Sequence, residues 1–139
     1  MTPARPSPTP DAVFAAQQAW RWTAAQTTAP QRQIILRRLH DAVRAHRTAL
    51  ADALRRDLGK SRAEAELTEI HPVLEELQHV IRRLPRWMAP RRVRTPLALV
   101  GSSSELRATS RGVTLILSPW NYPVTVSYTH LRAHETRHD

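Results

Sequence analysis

The sequence predicts an α/β fold with about three helices followed by short strands. Between residues 11 and 84, apolar residues recur every three or four positions, which is the spacing of one face of a helix. Residues 105–109 then alternate polar and apolar side chains, and residues 113–117 form a continuous apolar run. Both patterns are typical of strands, the first at a sheet edge and the second in a sheet covered on both faces.

Length and composition indicate one domain or part of one. The chain has 139 residues, of which 41% are hydrophobic and 24% are charged. No apolar run approaches the roughly 18 residues of a spanning helix, so we expect no membrane association. No signal-peptide pattern is visible, and we expect a cytoplasmic protein. Because the sequence contains no cysteine, this chain holds no disulfide, thiolate metal site or cysteine nucleophile.

The charge balance is strongly basic, with 21 basic and 12 acidic residues and a formal net charge of +9. Such a balance suits a nucleic acid or another anionic surface. The basic residues interleave with acids, however, and no aromatic RNA-binding motif accompanies them. We therefore expect arginines on solvated helix faces and no nucleic-acid partner. The alternative is a basic helical module that binds a nucleic acid or a protein partner.

Prolines and a glycine set the first helix boundaries. Residues 1–10 are rich in proline, and we expect a disordered leader there. A first helix is predicted over residues 11–26 and a second over residues 30–58. Pro30 suits the first turn of the second helix, and Gly59 suits its C-terminal stop.

The third helix begins at a capping box formed by Ser61 and Glu64, in which the serine side chain caps the helix start. Its buried stripe is predicted to consist of Leu67, Ile70, Leu74, Leu77, Ile81 and Leu84. Pro72 lies inside this helix and has no N–H to donate to the carbonyl of Thr68, so it should kink the second turn. Pro85 and Pro90 are predicted to bracket the end of the helix.

The apolar run at residues 113–117 leads into a polar, proline-braced loop at residues 118–123. In α/β proteins, ligands bind where buried strands end, so this loop is a candidate ligand site. From the residue types alone, Asn121 would be an ordinary turn residue and Trp120 a core side chain.

Four blocks in the sequence occur together in one enzyme family. They are residues 57–61 (DLGKS), Glu69 with Glu75 and Glu76, residues 84–88 (LPRWM) with residues 95–97 (TPL), and residues 112–123 (GVTLILSPWNYP). Through them the chain resembles the N-terminal part of an NAD(P)-dependent aldehyde dehydrogenase of the class 3 and coniferyl aldehyde dehydrogenase type. The resemblance runs from about Val13 to Val124. One departure is Ser110, where the family commonly has proline.

The resemblance implies an oxidoreductase that converts an aldehyde to a carboxylic acid, with NAD or NADP as the hydride acceptor. Asn121 would be the amide that holds the oxyanion formed when a cysteine thiolate attacks the aldehyde. Ser118, Pro119 and Trp120 would line the nicotinamide side of the cleft. The family's glycine-bearing dinucleotide turn, general-base glutamate and nucleophilic cysteine lie farther along a longer chain. We therefore expect this chain to be inactive by itself.

The resemblance also implies that residues 96–109 enter subunit pairing in a homodimer or larger homo-oligomer. Glu64, Glu66 and Glu69 are interpreted as surface or packing charges of a helix, because carboxylates at this spacing are commonly a solvated face. A paired-carboxylate acid/base site is not predicted there.

The resemblance stops after Val124, so the family domain is expected to span residues 11–125. We expect residues 126–139 to be a foreign sequence joined to a truncated reading frame. Within this tail, residues 134–138 spell H-E-x-x-H, the signature of zinc proteases. Because the sequence ends one residue later and His130 is the only spare ligand, no metal site is predicted.

Overall fold

Helices make up most of the chain, and two short strands accompany them. The structure is a computed structural model that describes residues 8–133, with side chains described through residue 128. The described residues form two compact units. The first comprises the described part of Met1–Thr28 with Pro90–Leu115, and the second comprises Ala29–Ala89 with the described part of Ile116–Asp139. This mostly helical architecture with short strands confirms the predicted fold class.

Helix α1 (Pro10–Ala25) in the first unit agrees with the first predicted helix. It begins with proline at its first position, and Thr9 Oγ1 accepts a hydrogen bond from the N–H of Ala12 at 3.3 Å. Proline suits that position because its missing N–H would have no partner within the helix.

The first unit also contains an antiparallel pair of strands. Strand β1 (Arg91–Val93) pairs with β2 (Ser104–Leu106), with Arg91 opposite Leu106. The edge strand predicted at residues 105–109 is therefore shorter and starts one residue earlier. A 3-10 turn (Leu97–Leu99) lies between β1 and β2.

The second predicted helix is two helices, α2 (Ala29–Ala45) and α3 (Arg47–Leu58). They meet at His46, whose ring Nδ1 lies 2.9 Å from the carbonyl oxygen of Ala42. The backbone N–H of His46 donates to the same oxygen at 3.0 Å. The backbone of His46 has φ −95° and ψ 11°, outside the α-helical range, and it separates the two helices. Gly59 ends α3 in the left-handed conformation (φ +69°), as predicted.

The third predicted helix consists of α4 (Arg62–Ala65), a π-helical segment (Glu66–Ile70) and α5 (His71–Met88). Ser61 Oγ accepts the N–H of Glu64 at 3.1 Å, which confirms the serine cap. The π-helical segment lies just before Pro72, where the sequence predicts a kink. A final helix, α6 (Pro123–Ala133), follows the candidate loop.

Helix α5 continues past Pro85 and ends at Met88, between the two prolines that were predicted to bracket its end. Proline in a helix leaves the carbonyl four residues earlier without its N–H partner. For Pro85 that carbonyl belongs to Ile81, and its oxygen accepts a hydrogen bond from Gln33 Nε2 of α2 at 2.6 Å. A side chain from the neighbouring helix thus replaces the missing backbone donor.

The core of the second unit lies where α5 packs against α2 and α6, and where Leu74 of α5 clusters with Ala51 and Leu54 of α3 and Ala65 of α4. The predicted stripe is largely confirmed, with Ile70, Leu74, Leu77 and Leu84 buried and Ile81 half-buried. Leu67 is the exception, because its side chain is 70% exposed. The π-helical segment changes the number of residues per turn, so Leu67 does not share the buried face of α5.

Residues 113–117 form no strand, which corrects the sequence prediction. Leu115 and Leu117 are each 82% exposed. A strand with two apolar faces is stable only between neighbouring strands under a covering layer. Within the described residues, β1 and β2 pair with each other and leave this run without a strand partner. Within residues 8–133, no helix combines the length and the apolar character needed to cross a lipid bilayer.

Candidate functional site

The candidate loop, residues 118–122, lies immediately before α6 and is held by the first turn of that helix. The hydroxyl groups of Ser118 and Ser127 form a hydrogen bond. The N–H of Val126 donates to the carbonyl of Tyr122 at 3.1 Å. The indole of Trp120, in contrast, is 91% exposed. The loop therefore has a fixed backbone and an open outer face.

Glu69 connects the π-helical segment to the start of α6. Its side chain is fully buried, and Oε2 accepts the backbone N–H groups of Val124 and Thr125, both at 3.0 Å. The first N–H groups of a helix have no partners within the helix, and they form the positive end of its dipole. A buried carboxylate at this position satisfies two of them and compensates the partial charge.

Lys60 joins Glu69 to the loop. Its Nζ lies 2.6 Å from Glu69 Oε1, donates to the carbonyl oxygen of Asn121 at 2.7 Å, and lies 3.9 Å from the centre of the Tyr122 ring. An ammonium group has three N–H donors, and these three contacts give each of them a partner. Lys60 is 8% exposed, so the pair is a buried ion pair with its remaining hydrogen-bonding groups satisfied.

A second bond to the π-helical segment comes from Thr125. Its Oγ1 donates to the carbonyl of Thr68 at 2.7 Å. In an α-helical pattern this carbonyl would accept the N–H of residue 72, which is proline and has none. Pro72 and Pro85 thus have the same effect, since each leaves a carbonyl that a side chain from another element occupies.

The four residues singled out from the sequence, Ser118, Pro119, Trp120 and Asn121, lie together on the loop. Pro119 and Asn121 are exposed, and Ser118 is half-buried. Their proposed roles in oxyanion binding and in lining the nicotinamide site remain predictions.

The structure separates the two interpretations given to the three glutamates. Glu69 is a buried packing charge, whereas Glu64 is exposed. Glu66 forms an outer ion pair with Arg47 at 2.6 Å, and its hydrogen bond and charge raise the pKa of Arg47. The contacts of Lys60 and Glu69 to the loop were not predicted. The one sequence signal for them is that both residues belong to the blocks that carry the family resemblance.

The H-E-x-x-H string at residues 134–138 lies outside the described residues. Among residues 8–133, no three His, Asp or Glu side chains are grouped so that they could hold a metal ion.

Comparison with known proteins identifies the family. The model of the "Aldehyde dehydrogenase family" matches residues 3–133. The chain therefore belongs to the aldehyde dehydrogenase family, as its sequence blocks suggested. With the family shown, the alternative of a basic helical binding module is not favoured.

Relatives support the class 3 resemblance. Aldehyde dehydrogenase family 3 member B1 of Bos taurus is 39% identical over 92 residues, which is 66% of this chain and 20% of that protein. The fatty aldehyde dehydrogenase HFD1 of Saccharomyces cerevisiae is 33% identical over 104 residues, or 73% of this chain and 19% of that protein. A substrate-bound AldH from Staphylococcus aureus superposes with a TM-score of 0.66 at 27% identity, covering 73% of this chain and 22% of that one. The chain thus spans about a fifth of the length of these relatives.

Proposed function

We propose that the chain is the N-terminal part of a cytoplasmic enzyme that oxidises aldehydes to carboxylic acids with NAD or NADP. Family membership supports the reaction class. The observation that carries the proposal is the loop at residues 118–122, whose backbone is fixed by Lys60 and Glu69 while its outer face stays open.

In this proposal Asn121 stabilises the oxyanion of the reacting aldehyde. An asparagine NH₂ donates hydrogen bonds without titrating. Its stabilisation of the oxyanion therefore does not change with pH in the range where the enzyme is folded. A fixed donor aimed at the developing charge lowers the barrier by about 3–4 kcal/mol. The carbonyl of Asn121 is already bound to Lys60, and its side chain lies on the exposed side of the loop.

The residues before Asn121 fit one side of a nicotinamide site. The exposed indole of Trp120 offers a flat apolar face to a planar ring, and Pro119 is also exposed. The hydroxyl of Ser118 is engaged with Ser127, so it would line the site while holding the loop to α6. When bound, NAD or NADP supplies the acceptor for the hydride. The other groups that the reaction requires belong to chain beyond these 139 residues.

We include oligomerisation in the proposal, with residues 96–109 entering the pairing of subunits in a homodimer or larger homo-oligomer. Strand β1 is exposed along its length, and β2 is its one partner among the described residues. Both strands therefore have a free edge on which a further strand can pair.

The experiment that tests the function begins with the source locus. Resequencing across the codons for residues 124–139 should show a frame that continues into an apolar helix, a glycine-bearing turn and a cysteine. The protein from the longer frame should reduce NAD or NADP in the presence of hexanal, whereas the 139-residue chain should not. A longer frame whose protein leaves the cofactor oxidised with every aldehyde tried would contradict the proposed reaction.

The role of Asn121 is tested in the same enzyme. Asn121→Ala should lower kcat by about 10²- to 10³-fold, the usual effect of losing one oxyanion donor. Gln78→Ala is the matched control, because it removes an exposed amide from the same unit, on α5. Equal kcat values for the two variants would exclude the assigned role.

A further inference from the structure

We propose that Lys60 and Glu69 act together as positioning residues that give the Asn121 side chain a single orientation. The inference rests on the proposed function, in which Asn121 is the oxyanion donor. In this inference, Lys60 and Glu69, which lie outside the loop, orient that donor.

Hydrogen bonds from the ion pair restrain the backbone on both sides of residues 122–123. On one side, Lys60 Nζ holds the carbonyl oxygen of Asn121 at 2.7 Å. On the other side, Glu69 Oε2 holds the N–H groups of Val124 and Thr125, each at 3.0 Å. Only Tyr122 and Pro123 lie between these bonded positions, and the ring of proline restricts its own φ.

The two restraints are coupled because Lys60 and Glu69 bind each other at 2.6 Å. Hydrogen bonds that involve an ionised group are shorter and about twice as strong as those between neutral groups. Both side chains are buried, so solvent does not compete for them. A shift of the loop would break a hydrogen bond to one of these charges and leave that buried group with one hydrogen-bond partner fewer, which is costly.

The helical segment that contains the Glu69 carboxylate is also held in place. Glu69 lies in the π-helical segment, and the carbonyl of Thr68 beside it is bound by the hydroxyl of Thr125 at 2.7 Å. The first turn of α6 therefore contacts this segment through two backbone N–H groups and one hydroxyl. These contacts fix the distance between the loop and the carboxylate independently of Lys60.

The test uses the fact that the sequence contains one lysine and one asparagine, Lys60 and Asn121. Labelling the 139-residue chain with ¹⁵N-lysine and ¹⁵N-asparagine therefore gives NMR signals from these two residues alone. In the unchanged chain we expect a slowly exchanging Lys60 ammonium signal and one set of Asn121 backbone and side-chain signals.

The substitution is Glu69→Gln, and its matched control is Glu66→Gln. Both replace a glutamate of the same π-helical segment by its amide, but Glu66 pairs with Arg47 and has no bond to the loop. In the Glu69 variant, the Lys60 ammonium signal should be lost to exchange, and the Asn121 side-chain signals should broaden or split. In a uniformly ¹⁵N-labelled sample, hydrogen exchange at Val124 and Thr125 should accelerate by about tenfold to a hundredfold, as expected for the loss of bonds to a charged group. The control should show none of these changes.

A purely structural role would give a different pattern. In that case, exchange at Val124 and at the core residue Leu77 would accelerate by the same factor, and this result would overturn the inference. Unchanged Asn121 signals in folded Glu69→Gln would overturn it as well. If that variant does not fold, the double variant Lys60→Met/Glu69→Gln removes both charges. Broadened or split Asn121 signals in the folded double variant would support the inference, and unchanged signals would overturn it.

These measurements involve no catalysis, so they fail or succeed independently of the proposed reaction. If Asn121→Ala leaves the activity of the longer enzyme intact, the proposed role of Asn121 is wrong even where Glu69 orients the loop. If Asn121→Ala abolishes activity and Glu69→Gln leaves the Asn121 signals unchanged, the positioning inference alone is wrong.

Discussion

Two ion pairs in this protein have the same length but very different burial, and this contrast gives a quantitative prediction. Lys60–Glu69 and Arg47–Glu66 both have a shortest N···O distance of 2.6 Å. The side chains of the first pair are 9% and 0% exposed, whereas those of the second are 48% and 16% exposed. Because solvent screens the outer pair, replacement of its cation should have little effect on folding.

For the inner pair we consider Lys60→Met, which keeps the length of the side chain and removes the charge. Removing one partner of a buried ion pair costs about 3–5 kcal/mol, since the other charge is left in the interior. Glu69 retains the N–H groups of Val124 and Thr125 as donors, which places the expected loss at the lower end, about 3 kcal/mol. This loss is large compared with the stability of about 5–15 kcal/mol that is usual for a domain.

The assay is urea unfolding followed by far-ultraviolet circular dichroism, with Arg47→Met as the control. Lys60→Met should shift the midpoint strongly to lower urea, and the control should unfold close to the unchanged chain. The double variant Lys60→Met/Glu69→Gln should lose less stability than the two single variants added together, because it leaves no unpaired charge. Equal losses in Lys60→Met and Arg47→Met would refute the argument from burial.

Four further variants test the packing and the helix ends by the same unfolding assay. Leu77→Ala removes a fully buried side chain of α5 and should cost about 2–5 kcal/mol, whereas Leu67→Ala, at a 70% exposed position, should stay within about 0.5 kcal/mol of the unchanged chain. The reverse order would mean that the π-helical segment is placed wrongly. Gly59→Ala should cost about 1–2 kcal/mol because of the positive φ alone, since a Cβ there meets no atom within 4 Å. A neutral result would argue against the left-handed end of α3. Ser61→Ala should cost about 1 kcal/mol through loss of the cap, and no change would mean that the cap is not formed in solution.

Features decided by neighbouring residues could be predicted from the sequence. The serine cap of α4 and the glycine end of α3 depend on a few adjacent positions, and both are confirmed. The buried face of α5 was also predictable, since it follows from apolar spacing within one helix. The position of Leu67 was not, because the π-helical segment alters that spacing just before α5.

Features that depend on distant partners could not be predicted. The hydrogen bond that replaces the donor missing at Pro85 comes from Gln33, 48 residues away from the carbonyl that it occupies. In the sequence, Glu69 is one of several charged residues of a helix. Its role depends on the start of α6, whose backbone N–H groups it binds 55 residues farther along the chain. The apolar run at residues 113–117 was predicted to be a strand and is not one. Such a strand needs neighbouring strands that pair with it, and the described part of the chain supplies none for this run.

The sequence separations around Glu69 bear on the order of folding. Lys60 and Glu69 are nine residues apart, whereas the bonds to Asn121 and Val124 span 61 and 55 residues. Closing the short interval costs less chain entropy than closing the long ones, and synthesis proceeds from the N-terminus. The ion pair can therefore form on the growing chain before the loop has been translated. The loop would then be the last part of this unit to become ordered, and it would be the first to open when the unit is destabilised.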